Sequence, residues 1–148
     1  MFRGQFEHAM DGKGRVALPS RYRDALARSG DERLIVTRGL GAPCLDVFPM
    51  KRWEELEARV AELPRFDANV VKLRRLYVSA AVECELDAQG RLLVPPSLRE
   101  LAKLEKGVMW AGMIEKAELW AADEWARANA ETVVDAAFLH ALGAELKL

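Results

Sequence analysis

Residues 11–26 read DGKGRVALPSRYRDAL and residues 87–102 read DAQGRLLVPPSLRELA, so one pattern occurs twice with a constant spacing. The identical pairs are Asp11/Asp87, Gly14/Gly90, Arg15/Arg91, Pro19/Pro95 and Arg23/Arg99. Apolar residues also match between these identical positions. Self-similarity on this scale indicates a duplicated structural unit, and the rest of the chain can be organised around it.

The repeat extends beyond these two segments. Phe48 and Trp53 correspond to Trp120 and Trp125 at a slightly smaller spacing, so the intervening loops differ in length. The predicted organisation is a first unit over 5–52, linking helices over 53–80, a second unit over 81–124 and a C-terminal helix over 125–148. Because a unit of about 48 residues cannot bury a sufficient core alone, we expect the two units to interlock. The predicted class is α+β, mainly β with peripheral helices.

Each unit begins with a hairpin. An aspartate followed three residues later by a glycine fits a type I turn, and it predicts left-handed backbone at Gly14 and Gly90. Alternation then places Arg15 outward and Val16 inward. The second copy has an apolar outer position at Leu93, which predicts that its strand is buried on both faces.

Short strands and helices follow the first hairpin. Ser20 is the expected N-cap of a helix that Gly30 ends. Hydrophobic periodicity then predicts strands over 33–38 and 44–49 and helices over 51–63 and 67–81. The Ala-rich tail predicts one last helix, running from Asp123 through Trp125, Val133 and Ala137.

Charge is distributed unevenly along the 148 residues. The net charge is −1, which excludes the argument that a globally basic protein binds nucleic acid. Residues 1–38 contain eight basic and five acidic side chains, whereas residues 101–148 contain five basic and eight acidic ones. This basic N-terminal part and acidic C-terminal part indicate that any contact with nucleic acid is made by the first part of the chain.

Reactive side chains are few. Cys44 and Cys84 are widely separated in sequence, and His8 and His140 are the only histidines, so we expect no metal site, cofactor or nucleophile–histidine pair. These patterns predict a protein that is not an enzyme and takes no small-molecule substrate. The charged N-terminus fits no signal peptide and no stretch suits a membrane span, so we expect the protein in the cytoplasm.

The start MFRG and the doubled D-x-x-x-R-hydrophobic-x-hydrophobic-P motif resemble the MraZ family of bacterial proteins. The resemblance covers nearly the whole chain. It implies tandem AbrB/SpoVT-like swapped-hairpin units interlocked into a pseudo-two-fold β-barrel. It also implies a transcriptional regulator in the nucleoid, bound to direct repeats upstream of its own division and cell-wall operon, and a ring-shaped homo-oligomer. The residues of this sequence that match the aspartates and arginines of the family motif are Asp11, Arg15, Asp87 and Arg91.

The chemistry of the motif suits double-stranded DNA. An arginine at the edge of a rigid turn can bond bidentately to a guanine or to a phosphate, while the aspartate orients it. Basic residues near the turn and at the helix start would add phosphate contacts. The predicted DNA-binding set is Asp11, Lys13, Arg15, Arg21, Arg23, Asp87, Arg91 and Arg99.

Other interpretations of the chain stay open. Each aspartate–arginine pair can instead be a surface salt bridge worth about 0–1 kcal/mol. At the level of function, the alternatives are an antitoxin-like module that masks a partner protein and a structural protein that assembles rings without DNA. The four tryptophans are expected in core or subunit packing, and the two cysteines are expected to be inert.

Overall fold

The computed structural model of the chain describes residues 1–147. Its strands are β1 Gln5–Ala9, β2 Arg15–Ala17, β3 Leu34–Arg38, β4 Cys44–Pro49, β5 Val82–Cys84, β6 Arg91–Leu93, β7 Gly107–Gly112 and β8 Ala117–Ala121. Its helices are α1 Ser20–Ser29, α2 Met50–Ala61, α3 Ala68–Leu73, α4 Pro96–Leu101, α5 Ala122–Ala130 and α6 Ala136–Leu146. A π-helical turn, Arg74–Val78, continues α3. None of these helices is long and apolar enough to span a membrane.

The strands form one six-stranded sheet and a separate two-stranded ribbon. The order in the sheet is β1-β7-β8-β4-β3-β5, and β2 pairs with β6 in the ribbon. All pairings are antiparallel, and four of the six join a strand of the first repeat to a strand of the second. The predicted α+β class is therefore confirmed. The two repeats share their hydrogen bonding instead of folding side by side.

The register of the cross-repeat pairings follows the duplication. In the ribbon, Val16 lies opposite Leu92, which is its own counterpart in the repeated motif. In the sheet, Asp46 lies opposite Glu118, its counterpart in the alignment that matches Phe48 with Trp120. At each of these positions a residue therefore lies opposite its own counterpart in the other repeat.

The main hydrophobic core lies beneath the ribbon. Val16 and Leu92 are fully buried there, and both belong to the same cluster as Trp110 and Tyr22. The indole N–H of Trp110 donates to the carbonyl of Ala17 at 3.1 Å, which ties the sheet to the ribbon. Three of the four tryptophans are buried, as expected for core packing, and the fourth is half-buried.

A buried polar group joins the linking helices to the centre of the sheet. Asp46 is 1% exposed, and it accepts a 2.6 Å hydrogen bond from the phenol of Tyr77 in the π-helical turn. The ammonium of Lys116 lies 2.8 Å from the other carboxylate oxygen. The hydroxyl of Thr37 donates to the backbone carbonyl of Tyr77 at 2.7 Å. Because a buried carboxylate is costly unless it is paired, these contacts hold the turn in one position.

Three local predictions are wrong. Pro19, not Ser20, is the N-cap of α1, and no side chain caps that helix end, although Gly30 closes it with a φ of +80° as expected. Leu93 is 56% exposed because only one face of the ribbon covers the core. The tail contains two helices instead of one. The β-branched run 132–134 disfavours continuous helix, and Asp135 caps a new helix by accepting from the N–H of Phe138.

Adjacent leucines on the two faces of the ribbon provide a test of this packing. Leu92→Ala should lower the free energy of unfolding by about 2–5 kcal/mol, because it leaves a cavity at a fully buried position. Leu93→Ala, on the exposed face, should change it by about 0.5 kcal/mol or less. Urea denaturation of both variants measures the difference, and equal losses would contradict the one-sided burial of β6.

Candidate nucleic-acid interface

The first hairpin turn is organised around one carboxylate. Asp11 Oδ1 accepts from the backbone N–H of Lys13 at 3.0 Å and of Arg15 at 2.9 Å, and Oδ2 accepts from Arg15 Nε at 2.7 Å. The backbone N–H of Gly14 donates to the Asp11 carbonyl at 3.0 Å, and Gly14 has a φ of +87°. The spacing of the motif thus follows from a turn in which one side chain satisfies two backbone donors and an arginine.

The second turn repeats this geometry. Asp87 Oδ1 accepts from the backbone N–H of Gln89 and of Arg91, both at 2.9 Å, and Oδ2 accepts from Arg91 Nε at 2.9 Å. Gly90 has a φ of +74° and donates to the Asp87 carbonyl at 2.9 Å. The predicted left-handed glycines are confirmed in both turns.

The ribbon brings the two turns together. Arg15 lies opposite Leu93 and Ala17 lies opposite Arg91, so both arginines occupy the face of the ribbon that does not cover the core. Arg91 Nη1 lies 4.0 Å from Asp11 Oδ2 of the other turn. Both arginine side chains are about one-third exposed. We call the surface formed by Arg15, Ala17, Arg91 and Leu93 the outer face of the ribbon.

The aspartates use only part of each guanidinium. In both turns the carboxylate bonds to Nε. Over residues 1–147, the terminal nitrogens of Arg15 make no hydrogen bond, while Arg91 Nη2 has a single long contact of 3.4 Å to the amide oxygen of Gln89. The paired terminal nitrogens are the donors that recognise guanine or phosphate bidentately. The turn therefore orients each arginine without consuming the donors that recognition needs.

Hydrogen bonding lowers the pKa of the Asp11 carboxyl group. The backbone N–H of Arg15, followed by its side chain and the N–H of Lys13, lowers the pKa of Asp11 from 3.8 to about 2 against an opposing effect of desolvation. The backbone N–H of Arg91 lowers the pKa of Asp87 in the same way. Both carboxylates are ionised at neutral pH and hold their arginines through charged hydrogen bonds.

Arg23 and Arg99 contact the turns across the repeat boundary. A Cβ atom on Gly14 would lie 2.5 Å from Cζ of Arg99, and one on Gly90 would lie 2.9 Å from Cδ of Arg23. Each turn glycine therefore accommodates the arginine of the other repeat's helix. Both arginines belong to the predicted DNA-binding set, but the sequence contained no signal that they also pack on the opposite turn.

The remaining predicted site residues lie further from this centre. Lys13 is exposed in the first turn, and Gln89 is its counterpart in the second, so the two turns differ in charge at that position. Arg21 is exposed on α1 and lines a shallow depression with Met1, Arg3, Tyr22, Asp24 and Arg28. In the part of the chain that the structure describes, Arg21 has neither a hydrogen bond nor an ion pair with either turn.

A second polar cluster lies at the Asp46–Glu118 pair, where Cys44 Sγ and the two carboxylates come within 4.8 Å of one another. The ammonium of Lys116 already lies 2.8 Å from Asp46 and 3.7 Å from Glu118. Burial, followed by the charges of Glu118 and Asp46, raises the pKa of Cys44 to about 12, so the thiol stays protonated. The buried carboxylate of Asp46 is thus paired with an ammonium of its own chain.

Comparisons with known proteins agree on one family. A family model described as "MraZ protein, putative antitoxin-like" matches residues 1–75 and 77–140. A Pseudomonas putida protein is 45% identical over 144 residues, covering 97% of this chain and 93% of its own length. A Pseudomonas aeruginosa protein is 47% identical over 125 residues, covering 84% and 83%. Both relatives bear the name Transcriptional regulator MraZ.

The carboxylate of Asp11 should titrate near pH 2. Because its pKa in the folded chain lies below the ordinary 3.8, its interactions stabilise the turn above about pH 4 and are lost as the pH falls through about 2. An NMR titration of side-chain carboxyl carbons measures this value. Arg15→Ala should raise it, whereas an Asp11 pKa near 3.8 in the parent chain would contradict the turn geometry.

Gly14→Ala should destabilise the protein by about 1–3 kcal/mol, the usual cost of a left-handed non-glycine residue. The added methyl group would also meet the guanidinium of Arg99. Gly12→Ala is a matched control in the same turn, because nothing lies within 4 Å of its Cβ position and its φ is not positive. Thermal unfolding of both variants makes the comparison, and equal stabilities would exclude a strained turn at Gly14.

Proposed function

The chain belongs to the MraZ family, and from that premise we propose that it is a sequence-specific DNA-binding transcriptional regulator. Its relatives are transcriptional regulators by name. The proposed contact surface is the outer face of the ribbon with its two turns. The observation that carries the proposal is that Arg15 and Arg91, which come from different repeats, share this one exposed face with their terminal nitrogens largely uncommitted.

The proposed mode of recognition follows from this geometry. A two-stranded antiparallel ribbon fits the major groove of DNA. Arg15 and Arg91 would read base edges or clamp phosphates, and the aspartates would fix their orientation. Lys13, Arg23 and Arg99 would add phosphate contacts and salt dependence. Arg21 would contribute only if the DNA extends over α1.

One chain offers two arginine turns, which is a small contact set for specific binding. We therefore propose that the protein acts as a ring-shaped homo-oligomer on direct repeats upstream of its own division and cell-wall operon. Several identical faces on one assembly raise the effective concentration of each face at the next repeat. The action would take place in the cytoplasm, at the nucleoid.

The finer fold assignment belongs to the same proposal. The four cross-repeat strand pairings support two interlocked AbrB/SpoVT-like swapped-hairpin units over 5–52 and 81–124, closing into a pseudo-two-fold barrel. The flanking segments 53–80 and 125–148 are helical over most of their described length. In this interpretation the duplication replaces a homodimer, and the turns are the parts of the domain presented to DNA.

Arg15→Ala should weaken binding to the DNA upstream of the gene by about 1–3 kcal/mol. It should also lower the salt dependence of the DNA affinity by the share that about one phosphate contact contributes. Arg33→Ala is a matched control: Arg33 also pairs with an aspartate, Asp31, at 2.8 Å, but it lies just before β3 and not on the ribbon. Fluorescence anisotropy at several salt concentrations, with a scrambled duplex alongside, measures both effects.

Three outcomes separate the candidate functions. A wild-type protein that prefers the native duplex, with the preference lost in Arg15→Ala and kept in Arg33→Ala, would support the function of a sequence-specific regulator. An equal loss of DNA affinity in the two variants, or an equal affinity for the native and scrambled duplexes, would indicate that the protein binds DNA without sequence specificity. An intact oligomer that binds no DNA at low salt would instead favour a structural assembly protein.

A further inference from the structure

One identical pair of the repeat takes no part in the turn of its own unit. The aspartate, glycine and first arginine of the motif form the turn, and the proline directly precedes a helix. The remaining pair is Arg23 and Arg99, near the starts of α1 and α4. The residue two positions earlier differs between the repeats, since Arg21 corresponds to Ser97. What the two arginines have in common is the group that each of them contacts.

Each of these arginines lies against the turn glycine of the other repeat. The place that a Cβ atom of Gly14 would take is 2.5 Å from Cζ, 2.6 Å from Nε and 2.7 Å from Nη1 of Arg99. All three atoms belong to the planar guanidinium, so this group fills that place. At Gly90 the distances are 2.9 Å to Cδ and 3.1 Å to Cζ of Arg23, and Nη1 is closer still. The same contact is therefore made twice, once in each direction.

Backbone hydrogen bonds determine where each helix begins relative to the opposite turn. The N–H of Val94 donates to the carbonyl of Gly14 at 2.9 Å, and the N–H of Leu18 donates to the carbonyl of Gly90 at 3.0 Å. α4 and α1 begin two residues after these donors, and the arginine comes five residues after its donor in both repeats. The first turn of each helix thus carries a guanidinium to the glycine that the preceding strand has already bonded.

The contact between Arg99 and Gly14 is held by packing. Arg99 Nε is enclosed and, over residues 1–147, has no hydrogen-bond partner. A buried donor of a charged group without a partner costs free energy, so hydrogen bonding through Nε does not account for this placement. The guanidinium instead closes the side of the turn that the missing side chain of Gly14 leaves open. Gly14 directly precedes Arg15, so this packing acts next to the arginine of the first turn.

We propose that Arg99 and Arg23 are positioning residues for DNA recognition, each of which holds the turn of the other repeat and with it the arginine of that turn. This inference rests on the proposed function, and it adds a second role to the phosphate contacts proposed for these two residues. A turn glycine that shifts also moves the arginine that follows it. Hydrogen bonds to a base edge require narrow ranges of distance and angle. Recognition by one repeat therefore depends on a helix of the other.

The first test measures both turns without DNA, by hydrogen–deuterium exchange and mass spectrometry of the full-length protein. Arg99→Lys keeps the charge and replaces the planar guanidinium by a compact ammonium. It should speed exchange of the backbone N–H groups in 11–15, which are bonded within the turn, and leave exchange in 87–91 at the wild-type rate. Arg23→Lys should have the reverse effect, so the two variants test the inference independently. The control is Arg28→Lys, in the last turn of α1, which should change neither turn.

The second test measures recognition. Fluorescence anisotropy gives the ratio of the affinities for the native and scrambled duplexes and the dependence of each affinity on salt. Arg99→Lys should lower this ratio by about tenfold, which lies within the discrimination that one bidentate base contact provides. It should keep the salt dependence, because the charge is retained. Lys13→Gln gives the first turn the side chain of the second, and it should do the opposite by lowering the salt dependence and keeping the ratio.

Each other outcome overturns the inference. Unchanged exchange in Arg99→Lys would show that the guanidinium does not hold the first turn, and equally faster exchange in both turns would show a general loss of stability. Faster exchange in the first turn with an unchanged affinity ratio would leave the contact without a role in recognition. A wild-type protein that does not distinguish the duplexes would contradict the proposed function and this role in recognition, while the exchange rates would still show whether the arginines hold the turns.

Discussion

The fold depends on the pairing of β2 with β6. A three-residue strand has little stability alone, and the strand with which each of these two strands pairs lies in the other repeat. Their pairing buries Val16 and Leu92 over the core and leaves the opposite face of the ribbon outside. The two turns are continuous with these strands, so the same hydrogen bonds that complete the core also bring Arg15 and Arg91 onto one surface.

The two repeats are related by the same pairings but are not equivalent. At the Asp46–Glu118 pair, Asp46 is buried and bonded to Tyr77, whereas Glu118 accepts from the indole of Trp120 at 3.1 Å. The difference arises because the π-helical turn that carries Tyr77 packs on β3, from where its phenol reaches Asp46. Arg23 and Arg99 couple the halves again at the turns, since each packs against the glycine of the other repeat.

Much of this arrangement could be predicted from sequence because it is local. The position of glycine three residues after aspartate determined the turns, and the proline after each strand marked where helix begins. Cross-repeat contacts could not be predicted in this way. The packing of Arg99 on Gly14 and the exposure of Leu93 depend on which strand lies opposite, and the bond from Tyr77 to Asp46 joins segments that are distant in sequence. The break in the tail falls at the β-branched run 132–134, which the prediction placed inside one Ala-rich helix.

The fusion of two turns into one polypeptide has a consequence for symmetry. A homodimer presents the same side chains on both sides of its axis, so it meets a double helix identically in either orientation. Here Lys13 occupies one turn and Gln89 the other, so one end of the outer face carries a charge that the other end lacks. Duplication followed by divergence thus makes the two ends of this surface different, so the surface can bind a linear molecule in one preferred direction.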